Sequence, residues 1–118
     1  MEILVLGCSD VFLRRALPAL YSCTLVSKIH IASKSKSRSL IDRKYFNKLG
    51  NWYEDYSIAI NSLVSDIVYI SLPNHLHFTW AKKSLFAGLN VIVEKPATLK
   101  LSDTELLAKL AIEKNLCL

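Results

Sequence analysis

The chain has 118 residues, 52% of them hydrophobic and 21% charged, which suits one compact domain with a core and excludes a disordered chain. Lys and Arg outnumber Asp and Glu by 15 to 10, a net charge of +5, and much of the excess lies between Lys28 and Lys48. No apolar run approaches the roughly 18 residues that a membrane-spanning helix needs. Cys8, Cys23 and Cys117 are unclustered, without CxxC or Cys/His metal spacing. Met1 leads directly into an apolar run, so no signal or transit peptide is expected, and the cysteine usage suggests a reduced, cytoplasmic protein.

In chain order, residues 2–7 (EILVLG) form an apolar run ending in glycine, as in a strand buried on both faces. Leu13, Ala16, Leu17 and Leu20 then recur at helical spacing, and Pro18 within that stripe predicts a kink or a break. Residues 28–33 (KIHIAS) alternate as a second strand. A helix is expected over Ser37 to Leu49, with Ile41, Tyr45 and Leu49 on one face and Gly50 in the C′ position. A short strand is expected from Trp52 to Tyr56, and a weak helix from Ile58 to Leu63.

The pattern then repeats. Residues 66–72 (DIVYISL) read as a buried strand that Pro73 and Asn74 break, followed by a helix from His75 to Ala87 that Gly88 stops. Residues 90–94 (NVIVE) form another strand. Ser102 to Glu105 (SDTE) reads as a capping box opening a helix that reaches about Asn115. The last four residues, NLCL, look like the first half of a sixth strand.

Strands alternating with helices predict a parallel sheet. Two such halves make an α/β doubly wound sheet, a Rossmann fold in a single domain over residues 1–118, with strand order 3-2-1-4-5-6. Ligands of such sheets bind beyond the carboxyl ends of the strands, so the loops after Leu6, Ile31, Leu72 and Val93 are the candidate site.

The first of these loops reads LGCSDVF. Only the first glycine of a G-x-G-x-x-G dinucleotide fingerprint is present, as Gly7; Ser9 and Phe12 stand in the second and third places. Ser9 brings a hydroxyl to where a pyrophosphate comes close, and the helix start offers free N–H groups. Phe12 should push the helix away from the strand or rotate it. The same sequence also fits an ordinary strand–helix turn.

After the second strand, Ser33-Lys34-Ser35-Lys36 places hydroxyls and cations where NAD sites often carry a carboxylate. This suits a 2′-phosphate and favours NADP over NAD; the other reading is a lysine-rich surface loop. SLPNHLH puts Pro73, Asn74 and His77 at the end of a buried strand. His75 and His77 are two residues apart, off any shared helix face, and no third ligand accompanies them, so we read no metal site. In VEKPATL, Glu94, Lys95 and Pro96 follow apolar sequence directly. Lys95 is placed to contact ribose or substrate, or to donate a proton, and Pro96 restricts its backbone and admits a cis bond. A plain loop salt bridge at Glu94 is the alternative.

Taken together, GCSDVFLRRALPAL, IASKS, DIVYISLPNHLH and AGLNVIVEKPATL resemble the N-terminal domain of the Gfo/Idh/MocA oxidoreductases, over nearly the whole chain. The resemblance implies a nucleotide-binding domain for NADP (NAD possible). In the family this precedes an α+β domain for a sugar, inositol or similar polyol, and hydride passes between nicotinamide and a CH–OH carbon. It implies that Gly7 and Ser9 lie by the pyrophosphate and Ser33 and Lys34 by the adenosine ribose. Pro73, Asn74 and His77 would line the nicotinamide side, with Glu94, Lys95 and Pro96 as the floor and Lys95 as the catalytic group. The chain departs from the family in its missing glycines, and the substrate domain with its proton donor is absent, so a sugar or polyol partner is expected only together with that domain. An oligomer is compatible with this reading; nucleic acid and membrane are not expected partners. A Rossmann relic or protein-interaction module that no longer binds a dinucleotide is the alternative, and nucleic-acid binding through Lys34 to Arg38 has the least support.

Overall fold

The computed structural model describes residues 1–62 and 65–118. Among them, five strands form one parallel sheet: β1 (Glu2–Leu6), β2 (Lys28–Ala32), β3 (Leu49–Tyr53), β4 (Ile67–Ile70) and β5 (Asn90–Val93). Their order is β3-β2-β1-β4-β5, the first five places of the expected order. The apolar run of β1 takes the centre, paired with β2 from Glu2↔Lys28 to Leu6↔Ala32 and with β4 from Ile3↔Ile67 to Leu6↔Ile70.

Both faces of the sheet are covered. Leu4, Leu6, Val68 and Ile70 pack against the helices α2 (Tyr56–Asn61), α3 (Asn74–Phe86) and α4 (Leu101–Glu113). Ile3, Val5, Ile29 and Ile31 pack on the other side against Phe12, Leu17 and Ile41. Side chains of a strand point to opposite faces in turn. That is why a continuous apolar run, rather than an alternating one, marks a central strand with a layer on each side.

The first helix shows how Pro18 and Phe12 are accommodated. It widens into a π-helical turn over Phe12–Ala16 and continues as α1 (Leu17–Ser22), with Pro18 in the first turn. Leu17 N–H donates to Phe12 O, five residues back. Pro18 has no N–H to continue an α pattern, and the wider turn absorbs the mismatch. Phe12 is fully buried in the core, which contributes about 2–3 kcal/mol relative to an exposed ring.

Several expectations are corrected. The helix over Ser37 to Leu49 is instead two 3₁₀ turns, Arg38–Leu40 and Arg43–Tyr45, followed by β3. The serines and Asp42 hydrogen-bond locally: Ser37 Oγ to Ser39 Oγ at 2.6 Å, and Asp42 accepting from Lys44 N–H at 3.1 Å. Such bonds favour short turns over a helix. Gly50 lies inside β3 rather than at a helix end, and it is small because a Cβ there would come within 2.6 Å of the His30 ring. The strand expected at Trp52 to Tyr56 therefore lies earlier, from Leu49 to Tyr53, and Tyr56 opens α2.

The capping box is not formed. Lys100 is the N-cap of α4 and Ser102 lies inside its first turn, while Thr98 Oγ1 bonds Thr104 Oγ1 at 2.7 Å. The helix expected from Ile58 to Leu63 is α2, and Leu63 itself lies outside the described residues. The NLCL segment runs beside β5 with one main-chain bond, Val91 N–H to Cys117 O at 2.9 Å, without being a strand of the sheet.

Candidate functional site

The carboxyl ends of β1, β2, β4 and β5 converge on one edge of the sheet, as predicted. Gly7 turns the chain out of β1 with φ +92°, and its N–H donates to Ala32 O at 2.9 Å. A Cβ on it would stand 2.5 Å from Ser71 O, so the loop after β1 lies directly against the loop after β4. Ser9 needs no such backbone; Asn115 is the one non-glycine residue with positive φ among the described residues. Ser9 Oγ accepts from Phe12 N–H at 3.0 Å and shares a 2.6 Å hydrogen bond with Ser71 Oγ. It is thus a helix-capping hydroxyl, the usual reason for a serine at this place. Among the described residues, nothing in the protein accepts from the N–H groups of Asp10 and Val11 at the helix start.

The loop after β2 divides its work. Ser33 is buried; its N–H donates to Tyr53 O at 2.9 Å and its Oγ accepts from Lys36 N–H at 3.1 Å. It shapes the turn with the polar groups that were expected to face a ribose. Lys34 is exposed, its ammonium 5.2 Å from the centre of the Tyr56 ring. Lys36 reaches across to Asp10 at 2.8 Å. The hydrogen bond from Lys36 holds the Asp10 carboxyl below its ordinary range, and the same bond raises the Lys36 ammonium above its own. Burial pushes the neighbouring Cys8 thiol up, which keeps it protonated.

Two clefts lie on this edge. The first, about 230 Å³, is lined by Gly7, Ser9, Ser33, Lys36, Tyr56 and Pro73. The second, about 190 Å³, is lined by Ser9, Ser71, Asn74, His77, Glu94 and Lys95. They share Ser9 and Leu72 and so lie side by side along the strand ends, the first against the cationic loop after β2 and the second against the Glu-Lys-Pro loop after β5. A larger cavity of about 390 Å³ between α2 and α3 lies away from the strand ends. The edge clefts are the stronger candidate, because polar groups from four loops converge on them.

Of the expected residues, Gly7, Ser9, Ser33 and Pro73 line the first cleft, and Asn74, His77, Glu94 and Lys95 the second. Lys34 borders the first through Tyr56. Pro73 caps α3 and Asn74 opens it. His77 is fully buried, with Nδ1 2.8 Å from Pro96 O and Nε2 2.7 Å from Leu72 O. It ties the loop after β5 to the end of β4 rather than presenting a free nitrogen. The Lys95–Pro96 bond is cis. Glu94 is half-buried and accepts a hydrogen bond from the Tyr69 hydroxyl, while Lys95 is exposed.

Asp10, Tyr56, Tyr69 and Ser71 escaped the sequence reading, and Lys36, read there as one of the loop's cations, is paired with Asp10. Only Tyr69 and Ser71 carried a signal, as polar groups two apart at the end of the apolar run DIVYISL; in the structure Tyr69 pairs with Ile92, two residues before Glu94.

The model of the oxidoreductase family with an NAD-binding Rossmann fold, Gfo/Idh/MocA, matches residues 1–118. A dTDP-3,4-didehydro-2,6-dideoxy-alpha-D-glucose 3-reductase of Streptomyces violaceoruber is 36% identical over 118 residues, covering 100% of this chain and 34% of the relative. A D-xylose 1-dehydrogenase (NADP(+)) of Haloferax volcanii is 29% identical over 102 residues, covering 85% of this chain and 30% of its own. The solved structure of a 3-ketoreductase from Actinomadura kijaniata, in complex with TDP-benzene and NADP, superposes with TM-score 0.87 at 35% identity, over 98% of this chain and 36% of that one. The chain thus spans about a third of the length of these relatives. Its sheet order, its strand-end site and this match over residues 1–118 agree: the chain belongs to the Gfo/Idh/MocA oxidoreductases and is their NAD(P)-binding Rossmann domain.

Proposed function

We propose that the chain binds NADP in preference to NAD along the two adjoining clefts, for an oxidoreductase acting on a CH–OH group of a sugar or similar polyol. One observation carries this reading: the two adjoining clefts that share Ser9 have Lys34, in no ion pair among the described residues, beside one and Glu94 with Lys95 in the other. The polar ends of a dinucleotide, a phosphorylated ribose and a nicotinamide, match that polarity. The sugar-nucleotide reductase and NADP-dependent xylose dehydrogenase among the relatives support the same substrate class.

The residues present fit the cofactor. Ser9 accepts from Phe12 N–H, which leaves its own hydrogen free to turn from Ser71 to a phosphate oxygen. The N–H groups of Asp10 and Val11 point out of a helix start, where anions are favoured. Lys34 provides the charge for a 2′-phosphate. The bound dinucleotide supplies the hydride chemistry. Glu94 orients donors at the nicotinamide end, and Lys95 holds or moves the proton of the substrate hydroxyl. The other walls of the substrate site come from the family's second domain.

Phe12 does not favour the relic reading, because it is fully buried in the core and lines neither cleft. Titration with NADPH and NADH, followed by Trp fluorescence, tests the proposal. Trp80 meets Tyr56, a wall of the first cleft, edge-on at 5.1 Å, so it should report occupancy. Tighter binding of NADPH is expected; no binding of either at millimolar concentration would overturn the reading.

A further inference from the structure

Two features remain without a role: a phenylalanine in the third glycine place, and a tyrosine buried at the end of β4. They touch. The Phe12 and Tyr69 ring centroids lie 6.2 Å apart, with the planes tilted by 40°. Beyond Phe12, the Tyr69 hydroxyl donates to Glu94 Oε1. Tyr69 pairs with Ile92, two residues before Glu94, and Ser71, just past β4, bonds the capping hydroxyl of Ser9. Among the described residues no lysine or arginine pairs with Glu94. The phenol is therefore the group that fixes this carboxylate.

We propose that Tyr69 is a positioning residue that holds the Glu94 carboxylate at the floor of the second cleft, and that Phe12 braces the Tyr69 ring. The role of Glu94 toward the nicotinamide end rests on the proposed function above; the Phe12–Tyr69–Glu94 linkage does not. With Oε1 held by the phenol, Oε2 is left as an acceptor for an amide or hydroxyl donor in the cleft. A carboxylate free to change rotamer would lose that orientation. Burial, together with the hydrogen bond to Glu94 and its charge, pushes the Tyr69 hydroxyl far up, so it stays protonated and donating. The large residue at position 12 thereby gains a reason: glycine there would leave the Tyr69 ring without its support.

The test uses Tyr69→Phe, which keeps the ring and removes one hydroxyl, and Phe12→Leu, which keeps an apolar filling and removes the ring contact. In Tyr69→Phe, NADPH should bind roughly tenfold more weakly, the size of one hydrogen bond to a charged group. Adenosine 2′,5′-bisphosphate, which fills only the first cleft, should bind as before. Phe12→Leu should shift both ligands in the same pattern by a smaller factor. In the background of Glu94→Ala, Tyr69→Phe should add nothing.

The carboxyl carbon resonance of Glu94, followed by NMR without ligand, should move in Tyr69→Phe and in Phe12→Leu. An unmoved resonance in Tyr69→Phe, or equal losses for both ligands, would overturn the proposal. An effect of Tyr69→Phe with none of Phe12→Leu would overturn the bracing. If the unaltered chain binds no dinucleotide, the proposed function fails, and the resonance still decides the linkage.

Discussion

Asp10 and Lys36 form an ion pair 2.8 Å long, and Lys36 lines the first cleft. The carboxylate comes from the start of the first helix, where an incoming phosphate would otherwise meet only N–H groups, and it occupies one of the cations of the loop after β2. Asp10→Asn removes an anion and frees Lys36. We expect NADPH to bind roughly two- to fivefold more tightly, because exposed pairs of this kind are weak. The gain should shrink as salt is raised past the physiological range. Unchanged affinity at low salt would show that the pair does not face the bound phosphate.

With Lys36 engaged, Lys34 is the cation left for a 2′-phosphate. Lys34→Asp replaces that charge with the carboxylate that suits free ribose hydroxyls. NADPH affinity should fall by about ten- to a hundredfold, as for loss of a charge-assisted hydrogen bond. NADH should gain or stay level. Parallel titrations of both cofactors measure the ratio, and an equal loss for both would place Lys34 away from the 2′ position.

Gly7 and Gly88 both have positive φ, +92° and +82°, but only Gly7 is hemmed in: a methyl group on it would stand 2.5 Å from Ser71 O and 2.8 Å from Leu72 Cδ2. Gly88→Ala should cost only the backbone term, roughly 1–2 kcal/mol. Gly7→Ala should cost roughly 2–5 kcal/mol, since overpacking adds to it. It should also abolish dinucleotide binding, because the loops after β1 and β4 must part. Urea unfolding of both variants compares the two, and equal losses would contradict the close approach.

The sheet was legible because β1, β2, β4 and β5 are apolar enough to be recognised without neighbours. The strand ends then placed Gly7, Ser9, Asn74, Glu94 and Lys95 together, since topology alone decides which loops meet. Side-chain direction was not legible. Ser33 and His77 sit where expected, yet their polar atoms serve the fold, a choice set by contacts with Tyr53, Lys36, Leu72 and Pro96 that only the tertiary structure creates. The segment from Ser37 to Leu49 misled for a related reason. Its apolar spacing is helical, but local hydrogen bonds of Ser37 and Asp42 and the space needed by His30 beside Gly50 outweigh it. At Phe12 the structure has a π-turn running into Pro18 where the sequence suggested a displaced or rotated helix.

Asp55 caps α2, accepting from Ser57 N–H at 2.8 Å and Ile58 N–H at 2.9 Å. The bond from Ile58 N–H holds its carboxyl below the ordinary range, helped by Ser57 N–H and by the nearby charges of Lys34 and Lys83. Because the folded value is the lower one, the stabilisation is complete above the ordinary carboxylate range. It is lost as pH falls through the lowered value. Asp55→Ala should therefore lower the thermal midpoint at neutral pH by on the order of 3–6 °C. That gap should narrow as pH falls through the lowered value, where the native carboxyl loses its charge but keeps an acceptor oxygen. Asp55→Asn keeps an acceptor oxygen for the cap, so it should lie near the unaltered chain at neutral pH and lack the acid-dependent loss that the carboxyl contributes. Thermal melts of the three proteins across that pH range separate the contributions. A gap for Asp55→Ala of the same size at both ends would mean that the charge of the carboxylate adds nothing to the cap at the start of α2, beside Tyr56 and the first cleft.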